Sequence, residues 1–158
     1  MRIEWSIIIS VYAVATVVML FIPKDRIRLA IFALLCKQVI TFLFGLVVVQ
    51  LGLLEYPVRC FASVNRTSFL YEYYAYPVVC AAFNAWYPNN RSLLYRFGYY
   101  VVYSSVLTVG EIIIEKYTEL IKYIHWEWYI TWITLFITFY IVRLLCVWFF
   151  TKERVSYM

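Results

Sequence analysis

A 158-residue chain that is 65% hydrophobic, 22% aromatic and only 15% charged lies well below the roughly 25% charge of soluble domains. With a mean hydropathy of +0.78, the composition excludes an ordinary water-soluble enzyme and makes the bilayer the solvent. The formal net charge of +5 predicts contact with lipid headgroups, not with nucleic acid.

About 20 apolar residues in a helix cross a roughly 30 Å hydrocarbon layer. Five blocks of about that length predict an all-α polytopic integral membrane protein, a five-helix transmembrane bundle in a single domain. The first block, 5–22, stops at Pro23-Lys24-Asp25-Arg26; it lacks a strong basic leader and an Ala-x-Ala site, so it reads as a retained helix. The second, 29–54, is long enough to tilt and carries Lys37 and Gln38. The third, 69–87, follows Ser68 as N-cap, contains Pro77 and ends at Pro88-Asn89-Asn90. The fourth covers 94–114 and the fifth 129–150. Between the last two, 115–128 reads as an amphipathic outer connection that continues the fourth helix. The connections leave no room for a soluble catalytic module.

Lys and Arg counts in short loops set orientation. Arg2, Arg59, Arg66, Lys116 and Lys122 fall on the N-terminal face; Lys24, Arg26, Arg28, Arg91, Arg96, Lys152 and Arg154 fall on the other. The bias predicts the N-terminus outside and the C-terminus cytoplasmic, with anionic headgroups as partners of the inner face. Cys36, Cys60, Cys80 and Cys146 show no metal-ligand spacing. The sequons at Asn65 and Asn90 matter only in a glycosylating host.

No phosphate loop, nucleophile elbow or His-Glu-x-x-His occurs, and no cofactor is implied. The chemistry-bearing candidates are therefore the polar groups inside the spans, where an unpaired charge costs several kcal/mol. Glu72 and Glu111 share a level in the outer part; Lys37 and Arg143 lie in the inner half. Glu111 and Lys37 are offset by about 10 Å along ideal helices, so any link between them needs a water or hydroxyl relay. At about 100° per residue, Glu111, Glu115, Thr118, Lys122 and His125 form one stripe, which Ser104 and Thr108 extend inward. Other polar stripes are Lys37, Thr41, Gly45 and Gly52; Glu72, Tyr76, Cys80 and Asn84; and Thr131, Thr134 and Thr138. Thr41, Gly45, Gly52, Ser104 and Thr108 read as helix-packing positions, since small and hydroxyl residues let helices approach. Tyr117, Tyr123, Trp126 and Trp128 read as headgroup-belt aromatics.

The runs FIPKDR at 21–26, LEYPVR at 54–59 and IEKYTELIKYIHWEWY at 114–129, followed by TWIT at 131–134, resemble a family of small multi-spanning membrane proteins of spore-forming bacteria. The resemblance covers most of the chain. It implies a helical membrane fold in a bacterial plasma membrane, with sporulation or envelope biology as a setting, and brings no activity or ligand.

These features leave three functions. One is a non-enzymatic membrane component whose polar seams pack its own helices, a second copy of the chain or another membrane protein. The alternative is a small proton, cation or solute conduit built on Glu72, Glu111 and Lys37. An enzyme using Glu111, Glu115 and His125 as metal ligands is the third.

Overall fold

The computed structural model describes residues 2–155, with side-chain surroundings for 3–151. The side chains of Arg2, Lys152 and Arg154, counted above for orientation, lie outside the described residues, as does that of Glu153.

Helix α1 spans Arg2–Leu20 and breaks before Pro23, whose ring cannot continue a helix. A 3-10 turn, Lys24–Arg26, leads into α2, Ile27–Gln50. The third segment opens as a π-helical stretch, Phe69–Ala75, and continues as α3, Tyr76–Ala85. Helix α4 is Leu93–Tyr117, capped by the Ser92 hydroxyl, and α5 is Trp128–Val155. Four helices are long and apolar enough to cross a membrane. They turn large apolar side chains such as Leu20, Leu43, Val106 and Ile137 outward, as helices solvated by lipid do.

Helix α2 lies at the centre, with α3 and α5 antiparallel against it, α1 on α3 and running parallel to it, and α4 antiparallel on α5. The third segment runs the full depth of the bundle. Near its start Glu72 meets Tyr56, beyond α2; at its end the Ala85 carbonyl accepts from Arg26 Nη1 at 2.6 Å. Its 17 residues reach only about 25 Å at α-helical rise.

The close seam between α2 and α3 is made by alanines. Ala30 packs with Ala81 and Ala85, and Ala33 with Cys80. Gly52, expected to pack helices, instead ends α2. At φ +68° it occupies the left-handed position; its N–H reaches Val49 O at 3.0 Å and Leu53 N–H reaches Val48 O at 3.1 Å. That is a Schellman closure, which favours glycine for conformation, and nothing packs where its Cβ would be.

The expected helix over 115–128 does not continue. Thr118 is extended, and its hydroxyl lies 2.6 Å from the Ile114 carbonyl and accepts from Leu120 N–H at 3.2 Å. The turn drives Leu120 and Ile121 into an apolar cluster with Ile8, Val48 and Leu70. Strand β2, Lys122–Tyr123, then pairs antiparallel with β1, Leu54–Glu55. Backbone bonds from Val58 to Glu119 and from Ile124 and His125 to Leu53, each 3.1 Å, complete a cap over one end of the bundle.

Candidate functional site

Beneath the cap, between α2 and α5, lies a cavity of about 70 Å³ lined by Lys37, Thr41, Gly45, Tyr56, Glu72, Tyr76, Glu111, Trp126, Thr131, Thr134 and Thr138. At about 10 to 15 Å³ per water it has room for several.

Proline chemistry positions Glu72. Pro77 has no N–H, and in the π register Tyr76 N–H bonds to the Tyr71 carbonyl. The Glu72 and Tyr73 carbonyls thus lose their usual donors. Helix α2 supplies replacements three residues apart: the Thr41 hydroxyl at 2.6 Å from Glu72 O, and Gln38 Nε2 at 2.8 Å from Tyr73 O. The widened turn presses the Glu72 side chain onto Gly45, where any Cβ would overlap the carboxylate. Gly45 therefore seats a side chain, where the sequence suggested contact between helix backbones. The Glu72 side chain is 95% buried, at 5% exposure. Its Oε1 accepts from Tyr56 OH at 2.9 Å; its Oε2 is buried without a hydrogen-bond partner among the described residues.

Glu111 is held differently. Oε1 accepts from Tyr123 OH at 2.6 Å and Thr131 Oγ1 at 2.8 Å, and Oε2 accepts from Tyr76 OH. Trp126 Nε1 donates to Thr131 at 2.7 Å. This carboxylate ties α3, α4, α5 and the cap together, each bond to a charged group contributing about 1.5 to 3 kcal/mol. Burial first, then the neighbouring carboxylates Glu72 and Glu111, hold the cap phenol of Tyr56 well above its ordinary pKa. Burial and Glu111 likewise raise that of Tyr123. Both phenols stay protonated and donate.

Lys37, at 0% exposure, closes the far end of the cavity; it donates to Thr138 Oγ1, and its Nζ lies 4.8 Å from the centre of the Phe139 ring. Among the described residues no ion pair joins it to either carboxylate. Between Lys37 and Glu111 runs a ladder on α5: Thr138 Oγ1 lies 2.7 Å from Thr134 O, and Thr134 Oγ1 lies 3.0 Å from Thr131 O.

Thus Glu72, Glu111, Lys37, Thr41 and Gly45 all line one cavity. The other expected residues do not. His125 is exposed on the cap, and Glu115 is half-buried at the end of α4; neither lines the cavity. Glu115 keeps its place on the α4 stripe one turn beyond Glu111, but the continuation to His125 is broken at Thr118. Among the described residues no group of three His, Cys, Asp or Glu could hold a metal. Asn84 is buried nearer the far end, its Nδ2 bonded to Cys80 O at 3.0 Å. Ser104 and Thr108 are buried on the face of α4 that carries Glu111, their hydroxyls without partners among the described residues. Tyr56, which no stripe contained, is a site residue. So are Tyr123 and Trp126, expected in the headgroup belt; Trp126 is only 8% exposed.

No family model, curated protein or solved structure matches the chain.

Proposed function

We propose that the chain is a non-enzymatic integral component of a bacterial plasma membrane whose cavity takes up and releases a proton, with Glu72 as the exchanging carboxylate. The observation that carries this reading is Glu72 Oε2, buried and without a hydrogen-bond partner among the described residues, on a side chain that lines the same cavity as Lys37. A carboxyl with one free oxygen binds a proton without breaking its bond to Tyr56. A metal cation is disfavoured, because the buried positive charge of Lys37 repels it in a low dielectric, whereas lysine itself accepts and releases protons. The cavity reaches both levels, and a proton passing between them needs water there, because the threonine hydroxyls on α5 donate to backbone carbonyls, which cannot pass a proton on. Glu111, with three donors on its two oxygens, serves as the polar knot that fixes the cap.

In this reading the segment 69–85 is the fifth crossing. The N-terminus lies outside and the C-terminus in the cytoplasm, as the Lys and Arg bias favours, and the cap with its two carboxylates faces outward.

Proton uptake into proteoliposomes under an imposed gradient tests the proposal. Wild type should carry protons, and Glu72→Gln should abolish the flux while remaining folded. Wild-type flux from Glu72→Gln would sink it.

A further inference from the structure

Away from the cap, α4 and α5 pack antiparallel in a register set by three contacts. Trp132 Nε1 donates to Ser105 at 3.0 Å, and the Phe136 and Tyr140 rings lie 5.5 and 6.2 Å from that of Tyr100. The register carries Arg143 to the level of Arg96 on the neighbouring helix. Arg143 is held in place: its Nη2 donates to Asn89 Oδ1 at 2.5 Å, and its guanidinium sits 4.2 Å from the centre of the Tyr87 ring. Arg96 has no such anchor, and its buried Nε lacks a hydrogen-bond partner among the described residues.

Among the described residues the rim offers these cations no counter-charge in ion-pair contact. Asp25 pairs with Arg26 at 3.6 Å, and among the described residues neither Arg96 nor Arg143 has a carboxylate within ion-pair distance. Two half-buried guanidiniums at one level, one of them fixed, are stabilised by an anion that accepts from both. A phosphate fits their planar forks best. Around them the exposed apolar side chains Leu93, Phe97 and Leu144 face lipid, so a phosphate reaching this rim with a hydrocarbon tail gains contact along the same helices.

We propose that Arg96 and Arg143 clamp the phosphate of an anionic phospholipid in the leaflet away from the cap. Asn89 and Tyr87 orient Arg143, and half-buried Arg96 presents the second guanidinium. The site is independent of the proton cavity.

Native mass spectrometry of the full chain released from nanodiscs tests the clamp, with phosphatidylcholine and phosphatidylglycerol in equal amounts. Wild type should retain phosphatidylglycerol over phosphatidylcholine by about tenfold or more, as two basic groups near the surface imply. Arg96→Gln should lose most of that preference and the Arg96→Gln, Arg143→Gln pair all of it. Arg143→Lys, which keeps charge but not the fork, should fall between wild type and the pair. Thermal unfolding of each variant checks folding, and Arg96→Gln carries the test alone if removing Arg143 disrupts the rim. Wild-type preference in Arg96→Gln would overturn the proposal. Release of the retained lipid by millimolar inorganic phosphate would also overturn it, since the site would then take the free ion.

Discussion

Gly45→Ala is the smallest change that probes the seat of Glu72. The three atoms nearest an added Cβ all belong to the Glu72 carboxylate, the end of a flexible side chain, so the carboxylate swings away before the helices part. The move breaks the 2.9 Å bond from Tyr56 and leaves that buried hydroxyl unpaired, a loss of about 1 to 3 kcal/mol. Replacing glycine by alanine inside a helix returns about 1 kcal/mol. The difference is a net destabilisation of up to about 2 kcal/mol. Gly110 is the control, because nothing lies within 4 Å of its added Cβ; Gly110→Ala should stabilise by about 0.5 to 1 kcal/mol. Unfolding of both variants in one detergent measures the contrast. In a Glu72→Ala background the penalty at Gly45 should vanish, which a double-mutant cycle reads directly. Gly45→Ala as stable as Gly110→Ala, or a penalty that persists without Glu72, would refute the reasoning.

Glu111→Leu should destabilise by about 3 kcal/mol or more, because it strands the Tyr76, Tyr123 and Thr131 hydroxyls at once. Glu111→Gln should cost less than Leu, and equal unfolding temperatures for the two would show that the hydrogen bonds are unimportant. Gln38→Leu should lower stability by about 1 to 3 kcal/mol through the freed Tyr73 carbonyl, and no change would mean water replaces the amide. For topology, Cys60 should react with an impermeant maleimide added outside intact cells while a C-terminal tag stays protected from protease. The reverse pattern would invert the orientation.

The helical part of this architecture is legible because helix periodicity is local: Lys37, Thr41 and Gly45, or Thr131, Thr134 and Thr138, share a face whatever surrounds them. The cap escapes such reading. It is made by backbone bonds between Leu53 and the Ile124 and His125 amides and between Val58 and Glu119, and no side-chain pattern encodes them. Tyr123 and Trp126 turn inward because that pairing turns them, although aromatics near a span end usually sit among headgroups. Pro77 does point to a freed carbonyl. The π register that also frees the Glu72 carbonyl, and the assignment of Gln38 and Thr41 to the two acceptors, follow only once α2 lies beside the third segment.

Chemical labelling tests the role of Glu72 most directly. A hydrophobic carbodiimide enters the bilayer and adds to a carboxyl group that can bind a proton there, and mass spectrometry locates the adduct. The account predicts labelling at Glu72, whose Oε2 is unpartnered, and little at Glu111, whose two oxygens are both engaged. An adduct confined to Glu111, or none on either carboxylate in folded protein, would contradict it.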